Sequence, residues 1–226
     1  MKKRPDLYTN YKSESAIFST STQKVWFVLL ILISLIVPFY FSPYWMLLVT
    51  TSLLIAIASW GLNIVSGMAG QINLAHGVFV GIGTYTSAVI GGVATSSVIG
   101  FELDMIIWLP LSGIIAALVG IIISPVSARL KGLNLGLVTL AIVFIGSHFF
   151  SNLKFITGGA GLGRKAAKLK FLGIDLDSGL SIGSMILEKN DVIYYFSLIL
   201  CIFLGLGAKN LKTTKIRTAF SAIRDI

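Results

Sequence analysis

The chain has 226 residues, of which 55% are hydrophobic and 12% charged, with a mean hydropathy of +0.89 and a net charge of +9. A soluble domain carries about 25% charged residues, so the composition excludes an ordinary water-soluble fold and points to an all-α, polytopic transmembrane bundle. The basic residues sit beside apolar runs without aromatic interleaving, which excludes nucleic acid as the partner and makes membrane lipid the reading of the charge.

The single cysteine, Cys201, lies in an apolar run. It leaves no room for an intrachain disulfide framework or a C-x-x-C motif and reads as a small buried hydrophobe. From Val25 to Phe101 there is no Asp, Glu, Lys or Arg at all. Residues 1–24 are polar and basic, with no small-residue cleavage signal after the first apolar run, and read as a cytoplasmic tail followed by a retained helix.

Six spans are predicted in chain order. The first is Val25–Phe41, broken near Pro38; the second, after Ser42-Pro43, is Tyr44–Ser66; the third runs from about Gly77 to Val98. Met105–Ser124, stopped by Pro125, is the fourth, Leu133–Ser151 the fifth and Val192–Ala208 the sixth. The transmembrane domain is then 25–208 with an outer loop at 152–191, and 209–226 opens a cytoplasmic segment. With the N-terminus inside, twelve Lys and Arg fall on the inner segments and six on the outer ones, so the cytoplasmic N-terminus is favoured. Small residues four apart (Gly77 and Gly81; Gly83, Ser87 and Gly91; Ala116 and Gly120) predict close helix packing.

Three motifs stand out. From the end of the second span into the third, Asn63, Gln71, Asn73, His76 and Thr84 interrupt the apolar pattern, with Gly67 and Gly70 flanking a break. Amides and an imidazole are costly in hydrocarbon and belong against a protein interior or a watery cavity. They read either as the lining of a translocation pathway or as hydrogen-bonding glue between helices. Without a carboxylate or cysteine nearby, His76 is no metal or catalytic candidate. The second motif, Thr157-Gly-Gly-Ala-Gly-Leu-Gly-Arg-Lys165, has phosphate-loop spacing but lacks the hydroxyl that must follow the lysine, so it reads as a glycine-rich outer loop. The third is the basic tail from Lys209, in which Arg217, Phe220, Ile223 and Arg224 lie on adjoining stripes of one helix, suited to anionic lipid or to a docked partner.

The segment Leu62-Asn-Ile-Val-Ser-Gly-Met-Ala-Gly-Gln-Ile-Asn-Leu-Ala-His76, continuing to Thr86, closely resembles the L-N-x-x-x-G-x-A-G-Q-x-S-L-G-H signature of LivM-type permeases. Arg129-Leu-Lys-Gly to Thr139-Leu-Ala141, Thr157-Gly-Gly and Arg217-Thr-Ala-Phe-Ser-Ala-Ile-Arg-Asp225 resemble further blocks of that family, in family order. Asn73 replaces the usual Ser, Ala75 the usual Gly, and Leu133-Asn134 the usual x-Tyr. The resemblance implies an inner-membrane subunit, without cofactor or catalysis of its own, of an ABC importer for branched-chain amino acids or related small polar solutes. It implies a second permease subunit, two ATPase subunits docked through Arg217, Phe220, Ile223 and Arg224, and an extracytoplasmic solute-binding protein. The family pattern runs on into further spans whereas this chain ends at Ile226, so a non-transporting remnant is one rival reading. A self-contained channel or secondary carrier is the other, and the lack of an intramembrane carboxylate speaks against it.

Overall fold

The computed structural model describes residues 20–127, 129–130, 132–159, 163–182, 185–213 and 220. It is predominantly helical and divides into two compact units. The first unit holds α1 (Ser21–Tyr40), α2 (Pro43–Asn63, extended by a π-turn over Ile64–Met68) and α7 (Lys189–Thr213) from Asn190 onward. The second, Gln71–Lys189, holds α3 (His76–Gly91), α4 (Met105–Ser127), α5 (Gly132–Asn152) and the one-turn α6 (Lys154–Thr157). Two short antiparallel hairpins follow in the second unit, β1 (Lys170–Phe171) with β2 (Ile174–Asp175) and β3 (Leu180–Ile182) with β4 (Met185–Leu187).

Five of the six predicted spans, now α1, α2, α4, α5 and α7, are helices long and apolar enough to cross a membrane. Their outward side chains are large and apolar, as lipid contact requires: Leu30, Ile55, Ile122, Phe144 and Phe203 are all exposed. The third prediction is corrected. Instead of running to Val98, α3 stops at Gly91 after 16 residues, about 24 Å at 1.5 Å per residue and short of a hydrocarbon core of about 30 Å.

The stop has a physical cause. A helix leaves its last carbonyls without partners, and here the five from Ala88 to Gly92 are all taken. The backbone N–H groups of Phe101, Leu103, Lys168 and Glu102 donate to Val89, Ile90, Gly91 and Gly92 at 2.9–3.1 Å, and Arg164 donates to Ala88. Residues 92–104 therefore fold back over the helix end, carrying an isolated Thr95–Val98 bridge.

The prolines are corrected too. Pro125 lies inside α4, and α1 continues through Pro38 to Tyr40 without a break. Pro38 has no N–H for the carbonyl of Ser34, four residues back. Tyr194 of α7, 1% exposed, donates its hydroxyl to that oxygen at 2.8 Å, and Tyr195 donates to Leu35 O at 3.0 Å. Around this bond Met46, Tyr194 and Leu198 form the buried core of the first unit.

In the second unit α3 packs chiefly against α4. A methyl on Gly91 would lie 2.3 Å from the Trp108 ring, and one on Gly81 2.7 Å from the Phe150 ring. Those two members of the predicted small-residue stripes carry close packing, whereas Gly77 and Gly83 face open space. The β1–β2 hairpin turns on Leu172 (φ 50°) and Gly173 (φ 81°), two left-handed residues in a row, the twist a two-residue hairpin prefers.

Candidate functional site

The polar residues predicted from the end of the second span into the third divide between the two units. In the first, Asn63 ends α2, and its side-chain amide lies over Gly67 in the π-turn, where a β-carbon would collide with it. Asn63 also lines a cavity of about 560 Å³ among α1, α2 and α7.

In the second unit, Gln71–Ala75 lead into α3 without helical bonding of their own. Asn73 accepts from Ala75 N at 3.0 Å, an Asx turn that sets up the start of the helix. Leu74 N donates to the hydroxyl of Thr139 on α5 at 3.2 Å, and Thr139, 5% exposed, donates on to Gly136 O at 2.9 Å. Gly136 lets Ile72 approach the same face. Thr139 is thus the buried partner of this irregular segment. It was visible in the Arg129–Ala141 motif but carried no role there, because nothing in sequence joins it to Leu74, 65 residues away. Gln71 and His76 are half-buried beside the turn, and Thr84 is exposed on α3 with its hydroxyl bonded back to Val80 O at 2.9 Å.

Two cavities adjoin α3. One, of about 530 Å³, is walled by aliphatic and aromatic side chains of α3, α4 and α5, including Ile82, Val119, Ile142 and Phe149. Its polar lining is limited to Tyr85, Thr86 and Thr157, so it offers no charge to either end of a zwitterion. The other is an open groove of about 630 Å³ between α3 and α5, lined by Gly77, Tyr85, Ser147 and Ser151 with Gly159 and Gly163 at one end. Tyr85 stands against Phe150 there, ring centroids 5.0 Å apart.

The Thr157-Gly-Gly motif closes that end. Thr157, 2% exposed, donates to Leu153 O and accepts from Gly159 N, both at 3.1 Å. Gly158 (φ 84°) caps α6, and a β-carbon on it would lie 2.0 Å from the carbonyl oxygen of Gly163. Gly158 and Gly163 thus bring two backbone segments into direct contact.

Arg164 then draws the loop together. Its guanidinium donates to Ile156 O at 2.7 Å, to Ile99 O at 2.9 Å and to Ala88 O, so one cation sits at the carbonyl ends of α3 and α6. Burial pushes the guanidinium below its ordinary pKa. Lys168 adds a half-exposed pair with Glu102 at 3.3 Å.

Of the predicted tail residues, Phe220 is helical and half-buried. Arg217, Ile223 and Arg224 lie outside the described residues. Among the described residues no cluster of His, Cys, Asp and Glu could hold a metal.

The family described as branched-chain amino acid transport system / permease component matches residues 44–224. The chain belongs to that family. This permease is 32% identical over 141 residues to the high-affinity branched-chain amino acid transport system permease protein LivM of Escherichia coli (strain K12), and equally to LivM of Salmonella typhimurium (strain LT2). Each alignment covers 62% of this chain and 32% of the relative, so the chain matches about a third of the length of these curated relatives. No solved structure matches it. The family and the five apolar helices among the described residues together make the chain a multi-pass membrane protein of a transport-permease family. Both the break before α3 and the Thr139 and Arg164 anchors fall inside the matched residues.

Proposed function

We propose that the chain acts as the permease subunit of an ATP-driven importer for branched-chain amino acids or related small polar solutes in a bacterial inner membrane. The family match over residues 44–224 carries the reading. An extracytoplasmic binding protein delivers solute to the side of the 152–191 loop, a second permease subunit completes the pathway, and two ATPase subunits dock on the segment of Arg217, Phe220, Ile223 and Arg224. The N-terminus is cytoplasmic.

Within the chain, the α3–α5 groove is the best neighbour for a passing solute. Tyr85, Ser147 and Ser151 give it hydroxyls along its lining, and Gln71, Asn73, His76 and Thr84 lie on or just before α3, the helix that forms one of its walls. Asn63 belongs to the same polar run in sequence. A β-carbon on Gly77, which lines the groove, would meet no atom within 4 Å, so Gly77→Leu adds bulk there. ATP-dependent uptake of labelled leucine, measured with all partner subunits reconstituted, should be lost in Gly77→Leu while the subunits still copurify. Wild-type levels of uptake by that variant would move the pathway away from the groove, and absence of any ATP-dependent uptake by the wild type across leucine, isoleucine, valine, urea and short amides would refute the importer reading.

A further inference from the structure

The cavity of the first unit has the shape and chemistry of a lipid site. Leu198, Gly205 and Lys209 of α7 follow one helical stripe and face Leu53, Trp60 and Asn63 of α2 across it. Gly205 lets the Trp60 ring pack closely on α7: a β-carbon there would lie 2.7 Å from it. The stretch from Leu198 to Lys209 is about 16 Å long at 1.5 Å per residue, the depth of about one leaflet of a 30 Å hydrocarbon core. Away from the Lys209 end the lining is mainly aliphatic, with Leu30, Leu53, Leu198 and Ile202 beside Ser34 and Cys201, while an amide and an ammonium, Asn63 and Lys209, stand at the rim.

All of the rim comes from one end of the helices: the start of α1, the end of α2 with its π-turn, and the end of α7. Lys24 at the start of α1 adds positive charge at that end. With the N-terminus inside it is the cytoplasmic end, where anionic lipids gather and basic pockets between helices bind their headgroups.

We propose that this cavity holds one anionic phospholipid, an acyl chain between α1, α2 and α7 and the phosphate at Lys209 and Asn63. The site lies outside the groove assigned to the solute and does not depend on the transport reading. Charge complementarity at the rim and an apolar shaft one leaflet deep select a phospholipid over a free phosphate, which would leave the shaft empty.

Native mass spectrometry of the full chain, purified in mild detergent with added dioleoyl phosphatidylglycerol or dioleoyl phosphatidylcholine, tests it. One phosphatidylglycerol should be retained in preference to phosphatidylcholine. Lys209→Gln should weaken that retention about fivefold, the effect of one basic residue near an anionic headgroup, whereas Lys209→Arg should keep it. Cys201→Phe, which fills the shaft, should abolish retention with Lys209 intact, and glycerol phosphate should not compete. Equal retention of both lipids, no response to Lys209→Gln with Cys201→Phe still loading lipid, or displacement by glycerol phosphate alone would overturn the proposal. So would protection of Cys201 from alkylation by a second permease subunit in lipid-free detergent, since a protein helix would then be the occupant.

Discussion

Removing the Tyr194 hydroxyl tests how the first unit tolerates a proline in a membrane helix. The hydroxyl donates at 2.8 Å to the Ser34 carbonyl that Pro38 leaves without an intrahelical donor, and Tyr194 is 1% exposed, so water cannot replace it. Leaving a buried acceptor unpaired costs about 1–3 kcal/mol, while hydrogen bonds between membrane helices average about 0.6 and reach about 1.7 kcal/mol. Tyr194→Phe should therefore lower stability by about 1–2 kcal/mol, toward the upper end because the acceptor has lost its backbone donor as well. In a Pro38→Ala background an N–H returns to serve Ser34, and the same substitution should cost only about 0.5 kcal/mol. The coupling between the two positions is then about 1 kcal/mol, measurable as a double-mutant cycle by reversible unfolding in mixed micelles. Tyr195→Phe is the control. Its acceptor, Leu35 O, lies four residues before Phe39, which has an N–H, so its loss should be the smaller one in the wild-type background. Equal costs of Tyr194→Phe in both backgrounds, or a Tyr195→Phe cost as large as that of Tyr194→Phe, would refute the argument.

Thr139→Val should destabilise the second unit by about 1–2 kcal/mol, because Leu74 N–H loses its buried acceptor, whereas Thr139→Ser should be near neutral; equal effects in the same unfolding assay would remove Thr139 from this role. Arg164→Gln should speed amide exchange at Phe101, Leu103 and Lys168 by about tenfold, the equivalent of about 1.4 kcal/mol, since the segments they anchor lose their shared cation; unchanged protection would mean that the backbone bonds suffice. Arg217→Glu combined with Arg224→Glu should abolish copurification of the ATPase subunits, and retained binding would detach the tail from docking.

Much of the architecture was legible because lipid imposes one rule on long segments. Uncharged apolar runs gave five spanning helices within a few residues of their observed bounds. What the apolar pattern could not reveal is where backbone bonding stops. Residues 92–98 carry no charge that would stop α3, yet the last carbonyls of the helix are taken by the N–H groups of Phe101, Leu103 and Lys168, and such partners leave no local trace. The two hairpins in 152–191 were invisible for a related reason: Leu172-Gly173 is a weak turn signal, and strands of two or three residues show no alternation. At the candidate site the glycine motifs marked the irregular backbone correctly. Their partners, Thr139 and Arg164, act over 65 and 76 residues, and composition cannot encode that distance.

The hydroxyls of this chain divide by the backbone they serve, and that division bears on how a polar residue in an apolar run should be read. Thr51, Ser52, Thr84 and Ser151 each donate to the carbonyl four residues back on their own helix, a bond that satisfies the hydroxyl locally and leaves the residue free to face lipid, solvent or a groove. Tyr194 and Thr139 instead reach an interruption in another element: the carbonyl released by Pro38, and the N–H of Leu74 in the break before α3. The same holds for Arg164 at the end of α3. An unsatisfied backbone group costs several kcal/mol in hydrocarbon, so each interruption needs one such donor or acceptor. The partner is then as constrained as the interruption itself. Thr84 was the conspicuous polar residue on α3, but its geometry binds it to nothing outside its own helix. Buried Tyr194 and Thr139, unremarkable in composition, are the residues on which the two irregular helices depend.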